Sequence, residues 1–599
     1  MQDVKNHDLP TSTRSHGPSF NARRSSKLLR LAGCTILLFF CGLYATQFST
    51  SDFGPQGVSL FLHDADMDLC PQVDMLFPEV SGELWKSIGQ DMRTEEFKKQ
   101  AVDWLAGAVR VETETFDDMG PVDEDPRWRS RFKFHAYLEQ AFPLVHANLK
   151  LTKVNTYGLL YEWKGSDASL KPILMAGHQD VVPVNPDTVQ EWTHPPYSGY
   201  YDGTRIWGRG SNDDKSGLIG TISAVEVLLR NDFKPVRTVV MPFGFDEEAG
   251  GLRGAASLAK VLEELYGECG FAFIIDEGGG FTEQYGTVFA TPGVAEKGSF
   301  SIKMDLATKG GHSSVPPDHT SIGILSALLT HLENNPFERR INRSTPTYRM
   351  FQCFAEHSSV MPSSLRKAIR KSINSDDALR EVESVLLKDP VYRALVSTTQ
   401  AVDMIHGGIK SNALPEETWA VVNHRVAITS SVEATISRDI SLLQPLVEKF
   451  NLTFSAFGEP IPPPSDLYPS EGSLEISYVG GINTPAPITP WDLKDAEADT
   501  APFRMLAGTI RGVFREHRGF ADGRDVVVSP GMPTVGTDTR WYWNLTKHIF
   551  RYSHHNSGNS TNSFERAHTV NEFLEADNLV ETIRFFVTLI MNADESREF

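Results

Sequence analysis

The chain has 599 residues, 40% of them hydrophobic and 22% charged, enough for more than one domain around a sizeable core. Its formal net charge of −20 argues against a nucleic-acid partner. An acidic protein that holds an anionic substrate needs a local positive centre, which a bound metal can supply.

The first 27 residues are polar and basic, with Arg14, Arg23, Arg24 and Lys27. The apolar stretch LAGCTILLFFCGLYA (31–45) follows. A helix needs about 20 apolar residues to cross a bilayer, so residues 28–48 are predicted to be a transmembrane signal-anchor. The long basic region and the lack of a small-x-small cleavage site set this apart from a cleaved signal peptide. Positive charge stays cytosolic, which puts the rest of the chain on the lumenal or external side. Four acceptor triplets, at Asn342, Asn451, Asn544 and Asn559, fit that side. Residues 49–85 read as a stalk leading to the first helix. Of the five cysteines, Cys34 and Cys41 lie in the anchor. Cys70, Cys269 and Cys353 are far apart and lack metal-type spacing. At most one disulfide can form among these three, and unpaired thiols are the expectation.

From 86 to 296 strands and helices alternate. ILMAGH (173–178), TVVMPFGFDEE (238–248) and FAFIIDEGGG (271–280) are apolar strands that end in charge, and SGLIGTISAVEVLLRN (216–231) is an apolar helix. The pattern is that of an α/β domain with a site at the carboxyl edge of its sheet. Residues 297–458 change character. They read strand-helix-strand-strand-helix-strand around a polar, helix-rich stretch at 336–400, so an inserted α+β, ferredoxin-like lid is predicted. The Pro-rich EPIPPPSDLYP (459–469) opens a last segment, 459–599, in which the α/β pattern resumes.

Five clusters carry chemistry: His178-Gln-Asp180, Asp213-Asp214-Lys215, Glu247-Glu248, Asp276-Glu277 and His568. Taken singly, an HxD, a Glu pair or an Asp-Asp turn is usually a structural or solvated feature. Taken together they differ, because four of them sit at or just after the ends of predicted strands. A buried carboxylate needs a compensating charge. Few lysines or arginines are near in sequence, and imidazole with carboxylate suits zinc, or less often manganese or cobalt.

GHQDVVPV, GRGSNDDKSG, FDEEAGG, IIDEGG and GGHSS, in this order, resemble the di-zinc family of aminoacylases, acetylornithine deacetylases and carboxypeptidases. The likeness runs from about residue 80 to the C-terminus and is nearest to the family's anchored vacuolar carboxypeptidases of Gly-X type. It implies two zinc ions per chain. His178 would bind one, oriented by Asp180; Asp213 would bridge both; Glu248 would bind the other; Asp276, or else Glu277, would complete the site of His178. The last ligand would be His568, in His568-Thr-Val-Asn571-Glu572. Glu247 would be the general base. From the lid, His312 would stabilise the oxyanion, Asn412 would contact substrate, and Arg425 would clamp the substrate carboxylate. Thr537, Asp538 and Arg540 of GTDTR form a further candidate pocket wall. The substrates implied are short peptides, or alternatively N-acyl amino acids, with a free carboxylate.

Overall fold

The computed structural model describes residues 68–462, 470–519, 525–561 and 567–599. The predicted tail and anchor, and most of the stalk, lie outside the described residues. No helix among the described residues is long and apolar enough to cross a membrane.

Ile173–Met175, Val239–Gly244 and Phe273–Asp276 are buried along their whole length. Strands covered on both faces carry such unbroken apolar runs. They are mutually parallel neighbours in a sheet ordered Lys150–Val154, Gly158–Trp163, Val239–Gly244, Ile173–Met175, Phe273–Asp276, Ile549–Arg551. The first two strands run antiparallel. Alternate residues enter separate cores. Leu159, Tyr161, Ile173, Met175 and Phe273 pack with Lys215–Arg230 and Ala576–Glu595. Leu160, Leu174, Val240 and Ile274 pack with Ala255–Tyr266.

The segment predicted to be a lid begins at Gly298–Thr308, whose burial alternates residue by residue. Its sheet is ordered Thr399–Gly407, Glu417–Val426, Gly298–Thr308, Gly472–Asn483, Leu452–Ala456, Glu459–Pro460. Helices Ser321–Asn334 and Val432–Lys449 cover one face. The expected succession of strands and helices is present, but the sheet has six strands rather than four. Gly472–Asn483, which the sequence reading left to the second catalytic segment, separates the first lid strand from Leu452–Ala456. The Pro-rich loop before it reads in the sequence as a domain boundary, yet the strand after it pairs with Gly298–Thr308. The chain leaves this second sheet beside its entry: Ala486 N–H donates to the Glu296 carbonyl at 3.0 Å.

The stretch at 336–400 contains four helices, Pro346–His357, Ser363–Lys371, Asp376–Leu386 and Pro390–Val396. They share a core with Phe289, Val527 and Met532 of the catalytic body. In this core Cys70 and Cys353 form a disulfide with a Cα–Cα distance of 4.9 Å, which corrects the expectation of unpaired thiols. Their 283-residue separation is closed by tertiary packing. Cys269 is free and exposed. The end of the predicted stalk also belongs to the body: Leu69 and Cys70 are buried, and Leu76 N–H donates to Gly508 O at 2.9 Å.

Candidate metal centre

The sheet sets the first ligand. Gly177–His178 pairs in parallel with the end of Val239–Gly244, leaving His178 only 1% exposed at the carboxyl edge. Asp180 is fully buried, with Oδ1 3.4 Å from His178 Nδ1. Its two oxygens also accept the backbone N–H groups of Glu247 and Glu248, each at 3.2 Å. Asp180 thus orients the histidine, with its backbone carbonyl 3.1 Å from His178 Nδ1 beside the carboxylate, and ties it to the next candidate segment.

That segment is a tight turn. Glu247–Ala249 is a single 3-10 turn, followed by Gly250 at φ 95° and Gly251 at φ 67°. Glycine is required at both places: a Cβ on Gly251 would lie 2.1 Å from Asp538 Oδ1, besides the left-handed backbone. Asp246 locks the turn by accepting from Arg253 N (2.8 Å) and Gly254 N (2.7 Å). Glu248 Oε1 accepts from Val182 N at 3.1 Å, which leaves Oε2 to face the cluster.

Asp213 lies at its centre. Its Oδ1 is 3.3 Å from His178 Nε2, and its Oδ2 is 3.1 Å from His568 Nε2. His568 Nε2 is also 3.2 Å from Glu248 Oε2. On the other side His178 Nε2 is 3.6 Å from Glu277 Oε1. Side chains of His178, Asp213 and Glu248, and of His178, Asp214 and Glu277, converge closely enough to hold metal ions. Asp276, the first choice from sequence, is not in either group. It is still in the strand ladder opposite Arg551, and its Oδ1 is taken by the backbone N–H of Glu277 at 2.9 Å. Glu277, one residue past the ladder and one methylene longer, faces His178 instead.

The donor set fits cations. Among the described residues, the ion-pair partners of Asp213, Glu248 and Glu277 are the two histidines alone. Asp214 Oδ2, Asp276 Oδ2 and both Asp538 oxygens are buried without a hydrogen-bond partner. Burial pushes the Asp214 carboxyl up to about 8. Burial, then the Glu277 carboxylate, pushes Glu247 well above the usual range. Buried carboxylates in this number call for metal charge, which would reverse those shifts.

Of the lid candidates, Arg425 is half-buried on Glu417–Val426, and the charges of Asp403 and Glu247 oppose the lowering of its pKa by burial. His312 and Asn412 are neighbours, since His312 pairs with Ala413 and Ser313 N–H donates to Asn412 O at 3.2 Å. Both are exposed and outside the ligand cluster. In GTDTR, Thr537 and Thr539 each donate at 2.8 Å to the buried Glu296, and Asp538 packs under Gly244 and Gly251. His554 is a core residue: Tyr552 Oη is 2.7 Å from its Nδ1, and Phe585 stacks on it. Sequence reasoning gave no role to Glu572, which is fully buried between two ligand loops; its signal was a carboxylate four residues after a candidate ligand.

Carboxypeptidase S of Saccharomyces cerevisiae is 39% identical over 536 residues, covering 88% of this chain and 89% of the yeast protein. An N-fatty-acyl-amino acid synthase/hydrolase of Xenopus tropicalis is 29% identical over 507 residues, covering 84% and 87%. The crystal structure of human carnosine dipeptidase 1 superposes with a TM-score of 0.57 at 15% identity, covering 87% of this chain and all of that one. The profile of peptidase family M20/M25/M40 matches residues 174–592, which hold the whole ligand cluster, and the chain belongs to that family.

Proposed function

We propose that the chain is a two-zinc carboxypeptidase that releases C-terminal amino acids from short peptides. The observation that carries this reading is the Asp213 carboxylate, whose two oxygens face two different histidines at 3.3 and 3.1 Å. His178, Asp213 and Glu277 would hold one metal; Asp213, Glu248 and His568 would hold the other. Zinc is favoured by a donor set of imidazole and carboxylate without thiolate. When bound, the pair supplies a water of lowered pKa and polarises the scissile carbonyl. Glu247 would serve as the general base, taking a proton from the attacking water and returning it to the leaving amine. Asp180 keeps His178 in the tautomer that presents Nε2. Arg425 suits a substrate carboxylate because its fork bonds both oxygens. His312 and Asn412 are assigned to the oxyanion and the substrate, and closure of the lid would have to bring them in.

Likeness to yeast carboxypeptidase S supports peptides as substrates, and likeness to the frog hydrolase makes N-acyl amino acids the alternative. Turnover of an N-blocked Gly-Leu peptide is compared with that of a long-chain N-acyl leucine and of the amidated peptide. Fastest release from the free-acid peptide is expected. Faster acyl cleavage favours the alternative, and equal cleavage of free and amidated peptides removes the carboxylate clamp.

A lumenal enzyme on a single anchor, in a vacuole-like compartment, is also proposed. Its supports are the apolar segment after a basic tail and the Cys70–Cys353 disulfide, which suits an oxidising compartment. Asn342, Asn544 and Asn559 are exposed and accessible to glycosylation. Protease treatment of sealed vesicles should trim only the tail; digestion of the bulk contradicts this topology.

A further inference from the structure

His568 reaches the centre from a loop rather than from the sheet, and something must hold that loop to Asp213. The side chain that does so is Glu572. Its Oε1 accepts two backbone N–H groups, Asn212 at 2.9 Å and Asp213 itself at 3.2 Å. Its Oε2 accepts from Arg209 Nη1 at 2.6 Å, and the same guanidinium nitrogen donates to Thr569 O at 3.2 Å. The Glu572 carbonyl accepts from Gly208 N at 2.9 Å, and the next residues pair as a strand, Phe573 opposite Trp207. Asn571 Oδ1 accepts from Thr193 N at 2.6 Å. Segment 208–213 and segment 568–572 are thus fastened through one fully buried carboxylate.

We propose that Glu572 is a positioning residue. It sets the separation of Asp213 and His568, and with it the affinity of the metal site these two share with Glu248. This rests on the two-metal reading above. The chemistry requires a carboxylate, because all three groups around it are donors: two amide N–H and one guanidinium. A carboxylate accepts on both oxygens, whereas a glutamine must point its NH₂ at one set of donors and leave them unpaired. Glutamine at 572 keeps the volume but releases either the Asp213 backbone or the Arg209–Thr569 link. The expected consequence falls more heavily on the metal that His568 would hold: of the other metal's ligands only Asp213 touches this clamp, and His178 and Glu277 make no contact with it among the described residues.

The test measures zinc stoichiometry and affinity by chelator competition in the full-length protein for wild type, Glu572→Gln, Arg209→Gln and His568→Ala. The absorption spectrum of the cobalt-substituted forms is a second readout. Glu572→Gln should weaken the metal that His568 would hold about 10–100-fold, the range for partners that orient ligands, and the other metal distinctly less. The band from the weakened site should change, while the melting temperature of the metal-free form stays near that of wild type. Arg209→Gln should show the same selective loss to a lesser degree, and decides the matter if Glu572→Gln does not fold. Wild-type affinity for both metals, or equal weakening of both, overturns the proposal. So does a metal-free form destabilised as much as the loaded one. If wild type binds fewer than two metals, or His568→Ala loses none, the two-metal reading fails instead.

Discussion

The two candidate histidines reach Asp213 by different routes. His178 stands on the sheet, 1% exposed, with Asp180 behind it; His568 stands on a loop with its side chain 51% exposed. His568 and Asn571 adopt left-handed backbone, at φ 60° and 64°, a conformation that costs about 1–3 kcal/mol at a residue other than glycine unless its surroundings enforce it. One half of the centre is therefore built by the strands. The other half is held by tertiary contacts. The lesson is that a ligand's place in the fold, as well as its chemistry, should set how firmly it holds its metal.

Asp213→Ala removes the group common to both halves, so both zinc ions and all measurable turnover should be lost. Metal analysis beside a peptide-release assay checks this, and a fully loaded variant breaks the bridge. Glu247→Gln leaves both halves standing and removes only the proton acceptor. Zinc content should stay at wild type while kcat falls about 10²–10⁴-fold; a fall of only a few-fold takes Glu247 out of the mechanism. His568→Ala should cost one metal, and in wild type a chelator should strip that same metal first. Simultaneous loss of both would erase the difference between the halves. Arg425→Ala should raise KM for free-acid peptides by roughly 10–100-fold, the loss of a charged hydrogen bond of about 1.5–3 kcal/mol, with little change for an amidated peptide. The smallest effect on the centre is expected from His554→Ala, which keeps both metals and loses only core packing; zinc loss there would move the C-terminal ligand from 568 to 554.

His178 and Glu248 were legible in the sequence because they stand at the ends of unmistakable apolar strands, where polar groups have few uses, and Asp213 because it stands just before the apolar helix Lys215–Arg230. The choice between Asp276 and Glu277 was not legible, because it depends on the residue at which the ladder with Ile549–Arg551 stops, and strand and helix ends are uncertain by a residue or two. Glu572 was visible as a letter in a motif, but its donors at Asn212 and Asp213 lie 360 and 359 residues upstream. The Cys70–Cys353 bridge and the strand Gly472–Asn483 were hidden for the same reason: long-range packing places them, and local pattern does not.

The central claim is that one aspartate joins two metals of unequal support. Zinc-edge anomalous diffraction from crystals of the loaded protein tests it most directly. Two peaks about 4 Å apart are predicted, one touching His178, Glu277 and Asp213, the other touching Asp213, Glu248 and His568, with lower occupancy at the second after brief chelation. A single peak, or two peaks that do not share Asp213, would contradict the account.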